Sequence, residues 1–573
     1  MAENIKMAGF NETVKCEDDL GRALPDYSLT GGIREDRQVG LFYFLWCGEH
    51  TLSDLRPLDI TKLLQADPRA GYRPDGPEWG AYSIMHHWGE PLFGYYYSED
   101  EWVMRRHVEM LTYAGIDFLV FDTTNAVIYE KNAKMMLRLL SEYRAMGFNT
   151  PRTVFYTNTE SGKTVRNLYD AIYAKNYMPD SWYLFGGKPL IIANEAECDA
   201  ELRDFFCIKA SQWPNEPTKR GGWPWMDFER PQRVFENNDG KEEIINVSVA
   251  QHPQIHFGDS AMYGETANRG RSFHNGKQDG SEGAWKYGYN FQEQWDRALE
   301  ADPPFVFVTG WNEWVAQRWG GPPERPLSFV DCADLEYSRD AEPMRGGYFD
   351  NYYMQLIANV RRYKGCAAEE IQPAVPAAAG PEEIAPEKWR SYASFPKGCH
   401  NRDCAGYSAR YTDNSGRNSF VSLGAAHDGE NVYFRARTLL PVTKPDYRSC
   451  WMQLFLNVNE LSSPSQPKRW KGYNYVANTY QFSDTRTALE KCVSETRSLE
   501  DDTFRPCAVI DYRAEGNELF ITVPKSAIGL APDSRFEIQF KWMDSRTRVC
   551  RMEDFYTSGD AAPIGRLNYV FRG

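Results

Sequence analysis

Residues 305–319 read FVFVTGWNEWVAQRW. The first five residues are apolar or β-branched and alternate no polar position into solvent. Such a continuous run marks a strand buried on both faces, as in a parallel sheet covered by helices. It stops at Gly310, and Trp311, Asn312, Glu313 and Trp314 follow at once. In a (β/α)8 barrel the C-terminal ends of the strands carry the active site, so a carboxylate, an amide and two indoles stand where chemistry is done.

Working outward from this strand, the same unit repeats. VGLFYFLW (39–46), IDFLVFDTTN (116–125), RTVFYTNT (152–159), KPLIIANEA (188–196), FFCIKASQW (205–213) and EEIINVSVA (242–250) read as further strands. Helical patterns lie between and after them, at 98–115, 133–147, 165–174, 295–304 and 349–365. In the first, Ser98 and Glu101 read as a capping box, Met104, Val108, Leu111 and Ala114 as one apolar face, and Gly115 as the stop. About seven strands over some 330 residues predict an α/β fold, a (β/α)8 TIM barrel with one strand unseen. An open doubly wound sheet is the alternative, but no GxGxxG or Walker A motif accompanies it. The segment 366–389 shifts to Ala, Pro and Glu and reads as a semi-stiff linker. Beyond it NVYFRART (431–438), WMQLFLNVN (451–459), NELFITVP (517–524) and FEIQFKWMD (536–544) alternate between turns, which predicts an all-β sandwich domain. The expected organisation is therefore a leader (1–34), a barrel (35–365), a linker (366–389) and a β-sandwich (390–573).

The totals narrow the function. The 573 residues carry a formal charge of −15, with a pI near 5.3, which disfavours nucleic acid as a partner. No apolar run approaches the ~20 residues of a membrane span. MAENIKMAGFNETVKCEDD has no apolar h-region, so a cytoplasmic location is expected, with a removed signal peptide and a periplasmic or secreted location as the alternative. The 12 Cys show no CxxC pair and are expected as free thiols, although Cys399 and Cys404 are close enough to bridge or to bind a metal with His400. With 17 Trp and 34 Tyr, many in Gly- and Pro-rich stretches, the chain is well supplied with flat platforms for sugar rings.

Strand ends supply the candidate site: Asp122, Asn158 with Glu160, Glu195, His252 with His256, and Asn312 with Glu313. Trp311 and Trp314 are expected to shape the space around Glu313. The loop 78–102 adds His86, His87, Trp88 and Glu90, and 248–280 adds Glu265, Arg271, His274 and Asn275. Carboxylates, amides, imidazoles and indoles without a nucleotide motif suit glycosidic-bond cleavage. That reaction needs one carboxylic acid to protonate the leaving oxygen and a second carboxylate to attack or to activate a nucleophile. The spacing of the loop histidines is not that of an HExxH helix, and no metal or organic cofactor is required.

Strand-terminal GWNEW followed by FDNYYMQLI, together with VGLFYFLW, HHWGEPLFGYY and AGIDFLVFDTTN, resembles the barrel of glycoside hydrolase family 99 and its relatives, family 71 included, over about residues 35–365. The resemblance implies a (β/α)8 glycosidase. The family-99 motif NEWxE carries two catalytic acids of an α-mannosidase that works through a 1,2-anhydro sugar; Glu313 matches the first, and Ala316 stands at the second. A partner acid is then sought in Glu90 first, then in Asp122, Glu195, Glu265 or Asp331. DGENVYFRART, WMQLFLNVN, WKGYNYVAN and DFYTSGDAAPIGRLNYVF resemble carbohydrate-binding module family 9 and DOMON-like sandwiches, which implies Trp470, Tyr473, Tyr475 and Trp542 as sugar-facing aromatics.

The expected function is a glycoside hydrolase on an oligo- or polysaccharide, with Glu313 as nucleophile or base and Glu90 or Asp122 as acid. The remaining substrate contacts are expected from His87, Trp88, Asn158, Glu195, His252, Glu265, Arg271, His274, Trp311, Asn312 and Trp314. A non-catalytic glycan-binding protein on a degenerate barrel is the alternative. Oligomeric state is not legible.

Overall fold

A computed structural model of the chain describes residues 14–48, 58–376, 380–407, 409–461, 472–494, 499 and 503–573. Eight parallel strands build the first sheet: β1 (Gln38–Tyr43), β2 (Phe118–Thr123), β3 (Arg152–Thr157), β4 (Lys188–Ala193), β5 (Cys207–Gln212), β6 (Gly222–Pro224), β7 (Glu242–Ser248) and β8 (Phe305–Thr309). The ladder runs in chain order from β1 to β6, and β8 joins β7 back to β1. Between β6 and β7 lies the short antiparallel strand Val234–Glu236, paired to β7 and tied to the start of β6 by the Gly221 N–H on Glu236 O at 2.8 Å. The sheet is thus nearly closed and barrel-like.

The apolar runs are continuous because each strand feeds two cores. Phe42, Phe118, Val120, Val154, Tyr156, Leu190, Ile192, Ile244 and Phe307 pack together on the inside. Leu41, Tyr43, Leu119, Phe121, Phe155, Ile191, Ile245, Val306 and Val308 pack outward against the helices. Gly40 makes room for this interior: a Cβ there would lie 2.2 Å from the Phe118 ring. The strand unseen in the sequence is β6, whose Gly-Trp-Pro carries no periodicity to read.

Helix α1 (Glu101–Tyr113) starts two residues later than the capping box predicts. Asp100 is its N-cap and accepts from the Val103 N–H, while the Ser98 hydroxyl is buried and takes the Cys47 N–H at 3.1 Å. Its second face, with Arg105, Arg106, His107 and Glu109, is buried as well. The C-terminal region covers it: Arg106 donates to Tyr556 O at 2.9 Å, Lys397 pairs with Glu109 at 2.7 Å, and Arg402 reaches the cap Asp100 at 2.7 Å. The other main helices are α2 (Glu130–Ala145), α3 (Ser161–Leu168), α4 (Ala200–Phe205), α5 (Tyr289–Ala301) and α6 (Asn351–Lys364). No helix among the described residues is long and apolar enough to cross a membrane.

The C-terminal region is one large antiparallel sheet. Its strands are β9 (Arg390–Ala393), β10 (Phe420–His427), β11 (Asn431–Thr438), β12 (Cys450–Glu460), β13 (Tyr475–Gln481), β14 (Arg486–Cys492), β15 (Phe504–Glu515), β16 (Glu518–Pro524), β17 (Phe536–Ser545) and β18 (Asn568–Arg572). The ladder order is β18-β17-β12-β13-β14-β15-β16-β11-β10-β9, and Val14–Lys15 adds an edge strand beside β18. The sheet folds over on itself, because strands far apart in the ladder share a core: Phe434 on β11 and Tyr392 on β9 lie 5.4 and 5.1 Å from the Phe540 ring on β17. Within the Ala/Pro/Glu segment, Val375 hydrogen-bonds His427 O at 2.7 Å, and Ile384 packs with Trp389 and Tyr433 against this sheet. Tyr473, Tyr475 and Trp542 are buried, so they offer no ring to a ligand at the surface, and Trp470 lies outside the described residues.

Candidate active site

The loop after β8 is held from within by its own motif. Trp311 donates its backbone N–H to Phe42 O at 3.0 Å. The Asn312 amide accepts from Phe44 N–H at 2.9 Å and donates to Phe44 O at 3.0 Å, so it continues the β8–β1 pairing with a side chain. Trp314 stacks on Trp88 with ring centres 4.4 Å apart and donates its indole N–H to Glu342 at 2.5 Å. The Glu313 backbone is fixed at both ends: its N–H donates to Asp340 Oδ1 at 2.6 Å, and its carbonyl accepts the Trp88 indole N–H at 3.1 Å. Trp88, Trp311, Asn312 and Trp314 are therefore interior supports. The expectation that the two indoles of the motif wall the ligand space is corrected by their complete burial.

Of the motif, Glu313 does reach an opening. Its side chain lines a cavity of about 430 Å³ with Asp122, Asp331, Arg339, Thr124, Asn125, Ser83 and Gln317. The aromatic walls are Phe42 and Phe44 of the β1 end, Trp46 just beyond it, Trp213 after β5, Trp225 after β6, and Trp319. Ala316 is on the wall too. All three wall tryptophans that follow strands obey the strand-end rule, and that rule was the signal that could have found them. Arg339 carried no signal, because it comes from an irregular loop far along the chain.

Arg339 organises the carboxylates. Its Nε and Nη2 donate to Glu313 Oε2 at 3.1 and 2.5 Å, and Nη2 also reaches Asp331 Oδ1 at 3.2 Å. The guanidinium lies 5.2 Å from the centre of the Trp225 ring and 3.5 Å from His252 Nδ1. Glu313 and Arg339 are almost wholly buried, whereas Asp331 is 47% exposed. Burial pushes the Glu313 carboxyl well above the usual carboxylate range, Arg339 pulls it back, and Asp331 and Asp340 push it up again. Asp122 is also pushed up by burial, against the N–H bond it accepts from Thr124 at 3.0 Å. His252 is held down to about 3 by burial and by Arg339, so it is neutral at ordinary pH.

The remaining sequence candidates are elsewhere. Glu90, the first choice as partner acid, pairs with Lys62 and is not on the cavity wall. His87 is buried between the Tyr95 and Tyr407 rings, at 4.7 and 4.5 Å. Arg271 is buried over Tyr352, Tyr348 and Trp88, at 4.4, 4.7 and 5.2 Å, and donates to Asp340 O at 2.8 Å. Asn158, Glu195 and Glu265 are exposed and not among the wall residues, and His274 packs on Tyr289 at 4.3 Å. Among the described residues no cluster of three or more His, Cys, Asp or Glu is placed to hold a metal ion.

No family model matches the chain, and no curated protein matches it in sequence. Among solved structures it is similar to the GH99 endo-alpha-mannosidase from Bacteroides thetaiotaomicron at 14% identity and a TM-score of 0.35, over 57% of this chain and 98% of that one. The same enzyme in complex with BIS-TRIS-propane gives 15% and 0.32, over 57% and 97%. A glycoside hydrolase-like protein gives 14% and 0.32, over 59% of this chain and 97% of the other. Similarity at this level carries neither fold nor activity across to the chain.

Proposed function

We propose that the protein is a glycoside hydrolase acting on an oligo- or polysaccharide at this cavity, at the mouth of a (β/α)8 barrel. One observation carries the reading: Asp122 and Glu313, from the ends of two different strands, line the same aromatic-walled opening. Indole and phenyl faces take the C–H faces of sugar rings, and the amides and hydroxyls of Asn125, Gln317, Thr124 and Ser83 take hydroxyl groups.

The two carboxyls divide the work by environment. Burial favours the protonated form of Asp122 over the opposing pull of Thr124 and Arg339, and no ion pair holds it among the described residues, so we assign it as the acid that protonates the leaving oxygen. Burial pushes Glu313 up as well, but of the two it is the one that receives guanidinium N–H bonds, two of them on Oε2, which favour its carboxylate form, so we assign it as nucleophile or base. Its Oε1 then faces the sugar, to attack the anomeric carbon or to take a proton from a water or a sugar hydroxyl. Asp331 shares Arg339 and is the next carboxylate in reach.

The test is product release from gluco-, manno-, galacto- and xylo-oligosaccharides. Wild-type protein is expected to cleave at least one series, and Glu313→Gln and Asp122→Asn each to lower kcat by about 10²–10⁴-fold while binding persists. Binding of a glycan with no product from wild-type protein would instead establish the glycan-binding alternative, which Ala316 on the cavity wall favours.

A further inference from the structure

We propose that Trp319, at the rim of the cavity, and Tyr82, beyond it, form a sugar-stacking shelf leading out of the cavity, so that the substrate is an oligosaccharide reaching beyond it. The inference rests on the glycan reading of the cavity and names the form of its ligand.

Trp319 is on the cavity wall, yet 47% of it is exposed, and Tyr82 nearby is 48% exposed. Exposed apolar surface that continues an opening, unlike a lone exposed ring, is where a ligand groove runs on over the surface. The two belong to facing segments that are tied together. Ser83 N–H donates to Arg318 O at 2.9 Å, and Gln317 Nε2 donates to Ser83 O at 3.2 Å. Gly320 lets them close up, since a Cβ there would lie 3.3 Å from the Tyr82 ring. Beneath, the Arg318 guanidinium sits 4.2 Å from the centre of the Tyr82 ring and donates to the carbonyls of Gly80 and Pro74. It is almost completely buried, so it fixes the Tyr82 ring from one side and leaves the other free.

Rigid support of an exposed aromatic matters for affinity. A ring already held in place loses little freedom when a ligand stacks on it. Ser83 and Gln317 line the cavity and join it to the shelf, so a chain leaving the cavity meets hydroxyl and amide groups first and aromatic faces next. A ligand confined to the cavity would leave Tyr82 and the outer part of the Trp319 ring in water.

The test measures binding by calorimetry, with the same four oligosaccharide series from two to six sugars long, on protein carrying Glu313→Gln to stop turnover. In the series that binds, affinity is expected to rise with chain length. Adding Trp319→Ala is expected to remove about tenfold of that rise, and adding Tyr82→Ala a smaller part, with melting temperatures unchanged. Affinity that does not rise with length, or a rise that survives Trp319→Ala, overturns the shelf and leaves the cavity reading intact. Failure of every oligosaccharide to bind overturns the cavity reading, and the shelf with it.

Discussion

Two groups of tryptophan surround Glu313, and they do opposite things. Trp88, Trp311 and Trp314 are wholly enclosed: Trp88 and Trp314 stack on each other, Trp311 meets Tyr353 edge-to-face, and Trp88 and Trp314 spend their N–H groups on Glu313 O and Glu342. Trp46, Trp213, Trp225 and Trp319 face the cavity. Trp311 and Trp314 flank the carboxylate in sequence and Trp88 is 225 residues away, yet all three lie behind it in space. The second group is scattered over more than 270 residues and stands in front of it. Proximity in the chain therefore did not separate frame from wall, whereas strand ends marked Trp46, Trp213 and Trp225 of the wall.

The contrast can be broken most directly by stability. Trp88→Ala removes a stacked, hydrogen-bonded indole from a closed core and is expected to cost about 3–5 kcal/mol in urea unfolding. Trp319→Ala, at a half-exposed position, is expected to stay within about 0.5 kcal/mol. Equal costs would mean that the two groups are not distinct.

A smaller effect sharpens the same division with pH. His87 belongs to the frame, and burial first, then His86 and Lys62, hold its pKa down to about 3. The unfolded chain takes a proton at His87 below about 6.5, whereas the folded protein stays neutral there until pH approaches 3. More protons bind to the unfolded state in that window, so the stability contributed by neutral His87 is present above pH 6.5 and is lost as pH falls. Between pH 6.5 and 4.5 wild-type protein is expected to lose about 2 kcal/mol more than His87→Phe. Parallel pH profiles of the two proteins would show that His87 is not neutral in the fold.

Much of the architecture was legible because burial on both faces writes itself as unbroken apolar runs. Seven of the eight parallel strands stood out for that reason, and Asn431–Thr438 coincides with NVYFRART in the C-terminal sheet. β6 was not legible, being three residues of Gly, Trp and Pro held by their neighbours. In α1 only one apolar face was legible. Its other face is charged, and it is buried because Lys397, Arg402 and Tyr556 come from a region 280 or more residues away to pair with it. The site shows the same limit. Asp122 and Glu313 followed from strand ends, whereas Arg339 sits in a loop whose path no local pattern dictates. Glu90 was drawn in by a crowded sequence, HHWGEP, that the fold uses for packing and for a Lys62 ion pair.

The account stands on Asp122 and Glu313 acting on one sugar chain. The most direct measurement is a crystal structure of Glu313→Gln with an oligosaccharide that the protein binds. The expected result places a glycosidic oxygen about 2.6–3.2 Å from the Asp122 carboxyl, with sugar rings against Trp225 and Trp319. A sugar bound elsewhere on the protein, with the cavity between Asp122 and Arg339 holding only water, would contradict it.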